Sequence, residues 1–219
     1  MITIHGVMRS RATRPLWLLE ELGLPFHHVP VIQAYRLPDP MAADAPLNTA
    51  SPAFRRLNPQ GTIPVMEEDG IVLTESLAIT LHLARRHGGD LAPRDAIEAA
   101  QTDQWMLFGA TALETPGLDL MFTLARGEAD TPQGAAIIAA AVAALERPLQ
   151  RLEAHLEGRD WLVGERFTVC DLMVAECLRY GQSHTPLLEG HPHVAGWIGR
   201  CQARPAFVAM MAARAAEPA

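Results

Sequence analysis

The sequence predicts a mixed α/β part followed by an all-helical part. Strand-type and helix-type segments alternate as far as residue 87, whereas the chain from Asp95 onward is rich in alanine and shows no strand pattern. Between the two parts, the glycines and the proline of residues 87–94 are typical of a boundary. We therefore predict a first domain at residues 1–87, a linker at residues 88–94 and a helical domain at residues 95–219.

The first domain is expected to begin with a strand at residues 1–5, since Ile2 and Ile4 alternate with polar neighbours. A helix should follow at Thr13–Leu22, because Pro15 suits a first helical turn and Gly23 suits a helix end. The chain should then form a strand, a loop that contains three prolines, and a short helix, at His27–Gln33, Ala34–Ser51 and Pro52–Leu57.

The next segment predicts a hairpin that contains a proline. Strands at Thr62–Met66 and Ile71–Thr74 flank an Asp-Gly turn, which is a strong hairpin signal. Pro64 lies inside the first of these strands, where it cannot donate a hydrogen bond to a sheet. A bend with a cis Ile63–Pro64 bond would reconcile the two signals. Such a bend would leave the backbone of Ile63 free to pair with an extended, peptide-like ligand.

A pocket for charged groups is expected directly after the hairpin. Glu75 and Ser76 come next, and Ser76 is typical of the N-cap of a helix at Leu77–His87. A helix start presents free N–H groups and a partial positive charge, which suit a carboxylate. These residues predict a groove for a peptide backbone beside a carboxylate and ammonium pocket. An ordinary hairpin followed by an ordinary helix cap is the alternative interpretation.

The second domain shows four helical patterns, near residues 95–126, 132–157, 169–184 and 194–214. Pro116 and Pro148 should kink, break or restart the helices in which they lie. Thr168 and Asp171 form a variant of the capping box, which indicates a contribution to folding rather than to a site.

The bulk properties exclude several classes of protein. The formal net charge is −7 and the basic residues form no run, so nucleic acid is not an expected partner. No signal-peptide pattern is present, and the longest apolar stretch, Ala135–Leu145, is too short to cross a bilayer. The three cysteines fall late in the chain without a CxxC pair, and neither His27-His28 nor His191-Pro-His193 has metal-ligand spacing. We expect a cytoplasmic protein with buried reduced thiols, no membrane partner and no metal site.

The chain resembles the glutathione transferase superfamily over nearly its whole length. The resemblance rests on Ile63-Pro64 followed by Glu75-Ser76, and on three further segments in the matching order, Met1–His5, Arg14–Pro25 and Trp161–Leu172. It implies a thioredoxin-like N-terminal domain followed by a C-terminal helical bundle, with glutathione as the co-substrate. A bacterial, cytosolic, serine-type member is the expectation. No cysteine or tyrosine occurs in residues 1–34, which disfavours the cysteine-type and tyrosine-type members.

The resemblance also implies roles for residues between the first strand and the first helix. Glutathione reacts as a thiolate, which a hydroxyl or amide donor and a helix start can stabilise. One alignment places Ser10 at the catalytic position and another places Arg9 there, with Arg9 or Arg11 as electrostatic helpers. A simple helix N-cap is the alternative role for Ser10. Arg14 matches a helix-1 arginine of the family and is interpreted as a structural residue.

For glutathione itself, the resemblance implies backbone pairing at Ile63 and a shape contribution from Pro64. Glu75 would meet the γ-glutamyl ammonium, and Ser76 would meet the γ-glutamyl carboxylate. Gln60 could reach the glycyl end or be an ordinary loop residue.

The second substrate would lie against the helical domain. Candidates for an apolar pocket there are Trp105, Phe108, Met121 and Tyr180, although residues with this helical spacing are more often part of a core. The expected function is a glutathione transferase that adds the thiolate to a small hydrophobic electrophile, as a homodimer. The alternatives are a glutathione-dependent isomerase, dehalogenase or peroxidase, or a non-catalytic glutathione-binding or assembly protein.

Overall fold

The computed structural model describes residues 1–217, which form two compact units. The first unit contains residues 1–88 together with the described residues from Arg204 to Glu217. The second unit contains residues 89–203. The C-terminal segment was expected within the helical domain, and it groups instead with the N-terminal residues.

The first unit is built on a four-stranded mixed sheet with the strand order β2-β1-β3-β4. The central strand β1 pairs in parallel with β2 and antiparallel with β3, and β3 pairs antiparallel with β4. The strands are β1 (Ile2–His5), β2 (Phe26–Val29), β3 (Val65–Glu68) and β4 (Ile71–Leu73). The helices of this unit are α1 (Thr13–Leu22), α2 (Pro52–Leu57), α3 (Ser76–His87) and α9 (Pro205–Ala216). The predicted β-α-β, short helix, β-β-α order of a thioredoxin-like domain is confirmed.

Burial explains why these segments form these elements. Ile2 and Ile4 are buried on β1 while the residues that alternate with them are half-buried. Helix α1 buries Leu16, Trp17 and Leu19, and Gly23 closes it with a left-handed backbone, as its sequence predicts. These side chains supply the apolar layer between the sheet and its helices.

Two strand boundaries were predicted wrongly by three residues or more. Strand β2 ends at Val29 and does not continue to Gln33. Strand β3 begins at Val65 rather than at Thr62, because the three preceding residues lie outside the ladder that starts with the His5–Val65 pair. The Asp-Gly hairpin is confirmed. Asp69 and Gly70 both have positive φ, 48° and 82°, as a two-residue turn with the twist of its strands requires.

The second unit is helical. Its helices are α4 (Ala96–Phe108), α5 (Glu114–Ala125), α6 (Pro132–Leu156), α7 (Val169–Leu178) and α8 (Pro192–Gln202), and a π-helical turn at Gly109–Leu113 joins α4 to α5. Pro116 lies in the first turn of α5, where it fits a restarted helix. Pro148 neither breaks nor restarts α6, which continues through it.

The predicted capping box is present at the start of α7. The Asp171 carboxylate accepts hydrogen bonds from the amide and the hydroxyl of Thr168, from the Leu162 amide and from the Trp197 indole. Asp171 is fully buried, and burial raises its pKa to about 6 despite these donors.

The predicted helix at residues 194–214 is two helices, α8 and α9. Arg204 has an extended backbone between them, with φ −65° and ψ 136°, because the residue before Pro205 is disfavoured in the helical region. Within residues 1–217, no helix has the length and apolarity that crossing a bilayer requires.

Candidate active site

Strand pairing brings the two halves of the candidate site together. Because His5 pairs with Val65, the chain after β1 and the chain before β3 leave the sheet side by side. Gly6, with φ 141°, lies so close to Ile63 that an added Cβ would be 3.2 Å from the Cβ of Ile63. The turn between β1 and α1 therefore lies against the Ile63-Pro64 segment, as expected for a common site.

The backbone of Ile63 is available for a ligand. The Ile63–Pro64 bond is cis, as predicted. Across the described residues 1–217, neither the amide nor the carbonyl of Ile63 takes part in a hydrogen bond. The Ile63 side chain packs against the apolar cluster of Val31, Phe54 and Val65 and so holds this backbone in place. A fixed main chain with an unused donor and an unused acceptor can pair with an extended peptide.

Asn58 organises the loop that leads to Ile63, a role that the predictions from the sequence did not include. Its side-chain nitrogen donates to the Thr62 carbonyl at 2.8 Å, and its side-chain oxygen accepts from the Gln60 amide at 3.2 Å. Asn58 is buried, whereas the Gln60 side chain is exposed beside it. The Asn-Pro dipeptide at residues 58–59 was a turn signal that could have identified this role.

Glu75 and Ser76 lie at the start of α3, one position earlier than predicted. Glu75 is the N-cap residue and Ser76 is the first helical residue, so the assignment of Ser76 as N-cap was wrong. Glu75 has φ 66°, a conformation that costs a residue with a side chain about 1 kcal/mol. This backbone leaves the Glu75 side chain exposed next to the free N–H groups of the helix start.

Arg14 links α1 to this helix start. Its guanidinium Nη1 donates to the Ser76 hydroxyl oxygen at 2.9 Å, and both residues are buried. The interpretation of Arg14 as a structural residue agrees with this contact. Arg14 therefore fixes the Ser76 hydroxyl at the start of α3.

Ser10 is hydrogen-bonded within the turn between β1 and α1. Its hydroxyl donates to the Val7 carbonyl at 2.6 Å and accepts from the Ala12 amide at 3.0 Å. The N-cap position of α1 is occupied by Ala12 rather than by Ser10. A hydroxyl has one proton, so Ser10 could donate to a ligand sulfur only by releasing Val7.

The two arginines near Ser10 differ in exposure. Arg9 is half-buried, and its Nε is buried without a hydrogen-bond partner among residues 1–217, whereas Arg11 is exposed. The amides of Met8 and Arg9 point in a common direction, since each donates to the Glu217 carboxylate, at 2.9 and 3.0 Å. No motif or periodicity in the sequence indicated a role for Glu217.

The candidate residues for an electrophile pocket divide into two groups. Trp105 and Tyr180 are buried in the helical unit, whereas Phe108 and Met121 are half-buried. Trp105 packs edge-on against Phe108 at 5.3 Å, and the Arg151 guanidinium lies 4.6 Å from the Phe108 ring. Burial of Trp105 and Tyr180 agrees with the core role that their spacing left open.

Metal ligation has no candidate cluster in the described part of the chain. No three side chains of His, Cys, Asp or Glu within residues 1–217 are grouped as a metal ion requires.

Comparison with known proteins decides the family. Two family models match, the N-terminal domain of glutathione S-transferase at residues 9–86 and the C-terminal domain of glutathione S-transferase at residues 117–205. Glutathione S-transferase 3 of Zea mays is 30% identical over 223 residues, which cover 97% of this chain and 94% of the maize protein. The chain belongs to the glutathione S-transferase family.

Two further members of the glutathione S-transferase family are similar to this chain. Glutathione S-transferase theta-1 of Mus musculus is 33% identical over 162 residues, which cover 70% of this chain and 66% of the mouse protein. The crystal structure of the theta class enzyme from Xanthomonas axonopodis pv. citri, solved with glutathione bound, matches with a TM-score of 0.71 and 28% identity. The alignment covers 94% of this chain and 94% of the Xanthomonas chain.

In this member of the glutathione S-transferase family, the first unit contains three features that bear on ligand binding. They are the Ile63 main chain without hydrogen bonds, the start of α3 with its exposed Glu75, and the turn between β1 and α1, whose Ser10 hydroxyl donates to Val7. This combination suits a small peptide with an ammonium and a carboxylate at one end and a negatively charged group near its middle.

Proposed function

We propose that this protein binds glutathione through its first unit and adds the glutathione thiolate to a small hydrophobic electrophile. The open main chain of Ile63, together with the Glu75–Ser76 helix start, carries the proposal. The amide and carbonyl of Ile63 would pair with the cysteinyl part of the tripeptide, and Pro64 would shape the backbone there. The match to an enzyme solved with glutathione bound supports the same assignment.

The γ-glutamyl end would lie at the start of α3. The exposed Glu75 carboxylate would attract the ammonium group, and the Ser76 hydroxyl and amide would hold the carboxylate. The strained backbone of Glu75 supports this role, since conformations of this kind are concentrated at functional sites. Gln60, exposed on the loop ordered by Asn58, would reach the glycyl end.

The first prediction concerns this end of the ligand. Glu75→Ala should weaken glutathione binding about 10- to 100-fold, because a hydrogen bond to a charged group contributes about 1.5–3 kcal/mol. Isothermal calorimetry would measure the dissociation constant. Glu20→Ala is the matched control, since Glu20 is an exposed carboxylate on α1 of the same unit. Equal binding by the two variants would refute the role of Glu75.

The thiolate would be stabilised in the turn between β1 and α1, with Ser10 as donor and Arg9 or Arg11 adding positive charge. This makes the protein a serine-type member. The Ser10 hydroxyl would turn from the Val7 carbonyl toward the sulfur when the ligand binds, since its proton is otherwise engaged.

The second prediction tests this donor. Ser10→Ala should raise the pKa of bound glutathione by about one unit, the shift that corresponds to one hydrogen bond of about 1.4 kcal/mol. Thiolate absorbance as a function of pH gives the pKa directly. Ser10→Thr, which keeps the hydroxyl, should restore most of the effect. If Ser10→Ala leaves the pKa unchanged, the role passes to the arginines or to backbone amides.

The electrophile would bind against the helical domain, with Phe108 and Met121 as the half-buried candidates and Trp105 and Tyr180 behind them. Turnover of halogenated aromatics, isothiocyanates and hydroperoxides with glutathione distinguishes a transferase from a dehalogenase or a peroxidase. Failure to turn over any of them, with glutathione bound, would favour a non-catalytic binding protein. We further propose a homodimer in the cytoplasm of a bacterium.

A further inference from the structure

Glu217, directly after α9, binds the turn between β1 and α1. Its two carboxylate oxygens accept separate hydrogen bonds, one from the Met8 amide at 2.9 Å and one from the Arg9 amide at 3.0 Å. The contact is part-buried and joins residues 208 and 209 positions apart in the sequence. Two successive amides that share one anion form a small anion-binding site.

Helix α9 brings Glu217 to this turn. At the start of α9, Arg204 donates to both oxygens of Glu21, each at 2.7 Å. Further along, Phe207 packs edge-on against Trp17 with ring centroids 4.8 Å apart. Later residues of α9 thus contact earlier residues of α1. Helix α9 is therefore antiparallel to α1, and its end falls beside residues 8 and 9.

The contact removes two donors from the turn in which the thiolate is proposed to lie. A Cβ added at Gly6 would lie 3.2 Å from the Ile63 Cβ. Because two residues of chain span at most about 7 Å, the Met8 amide is close to the proposed position of the cysteinyl group. The Ser10 hydroxyl is engaged with Val7 at the same time. A carboxylate of the chain itself therefore occupies the amide pair of Met8 and Arg9.

We propose that Glu217 is an internal competitor for the amide pair of Met8 and Arg9, which binds the negatively charged sulfur of glutathione once Glu217 withdraws. The proposal rests on the proposed binding of glutathione. While Glu217 occupies the amide pair, it disfavours binding of the thiolate form of glutathione. Ligands with a neutral sulfur do not compete with it.

Two glutathione derivatives test this competition. Glutathione sulfonate carries a negative charge at the sulfur position, whereas S-methylglutathione is neutral there, and the two share the remaining contacts. Glu217→Gln should raise the affinity for glutathione sulfonate about tenfold and leave the affinity for S-methylglutathione unchanged. A tenfold gain is expected if Glu217 occupies the amide pair roughly nine-tenths of the time. Calorimetry measures both, and Glu20→Gln controls for the lost charge. The proposal is overturned if the ratio of the two affinities is unchanged or if Glu217→Gln binds the sulfonate more weakly than the wild type does.

A second measurement separates this proposal from the binding of glutathione. In Glu217→Ala, acetate should restore the missing carboxylate and move the Met8 and Arg9 amide resonances toward their wild-type positions in a saturable way. Acetate should not move them in the wild type, where the site is filled. If neither glutathione derivative binds the wild type, the proposed function fails, and the acetate titration still decides the anion site. If acetate causes no saturable shift in Glu217→Ala, the anion site does not exist.

Discussion

The Glu98–Arg166 pair shows how one contact sets the charge state of a residue. Arg166 donates two hydrogen bonds to Glu98, at 2.9 and 2.7 Å, and these lower the Glu98 pKa from 4.5 to about 2. Arg166 also donates to the carbonyls of Asp90 and Ala92, so the pair fixes the segment before α4. Because the folded pKa is below the unfolded one, the pair stabilises the fold above pH 4.5 and loses this contribution as the pH falls toward 2.

The lowered pKa of Glu98 predicts how the stability of a variant depends on pH. Glu98→Gln should lower the free energy of unfolding by on the order of 3 kcal/mol at neutral pH, and the difference from the wild type should vanish near pH 2. Urea unfolding at a series of pH values measures it. Glu165→Gln, at an exposed neighbour of Arg166, should show no such trend. A difference independent of pH would mean that Glu98 acts through packing alone.

Sequence predicts a residue's role where the cause is local. The bend before Val65 follows from one proline in a strand pattern. The position of Glu75-Ser76 at the start of a helix follows from the hairpin before it and the helical pattern after it. The link from Arg14 to Ser76 spans 62 positions and the link from Met8 to Glu217 spans 209. Neither leaves a periodic or motif signal, because only the tertiary fold brings such partners together.

Elements were predicted well where turn chemistry dominates and less well where burial dominates. The Asp-Gly hairpin and the capping box at Thr168 depend on neighbouring residues, and both are confirmed. Pro148 was expected to disturb α6, since a proline inside a helix costs about 3 kcal/mol. The buried residues Leu145, Leu149 and Leu152 lie on one face around it, and each contributes about 1.5–3 kcal/mol. Packing therefore keeps the helix continuous.

At the scale of the whole molecule, the last helix belongs with the first residues of the chain. The sequence indicates that 95–219 form one helical domain, because composition cannot distinguish a helix of the second unit from one that returns to the first. Phe207 is buried with 7% of its surface exposed, and it packs on the fully buried Trp17. Helix α9 thus completes the apolar surface of α1.

The last prediction follows from this return of the chain. Phe207→Ala should destabilise the first unit by about 3–5 kcal/mol, the usual cost of removing a buried aromatic ring. Hydrogen exchange should then show lost protection at Leu16–Leu19 of α1, while Leu172–Cys177 of α7 keeps its protection. Val208→Ala is the matched control, because Val208 is the next residue and is 55% exposed. Loss of protection in α7 instead of α1 would place α9 with the helical unit, and Glu217 would then lack the support that holds it at Met8 and Arg9.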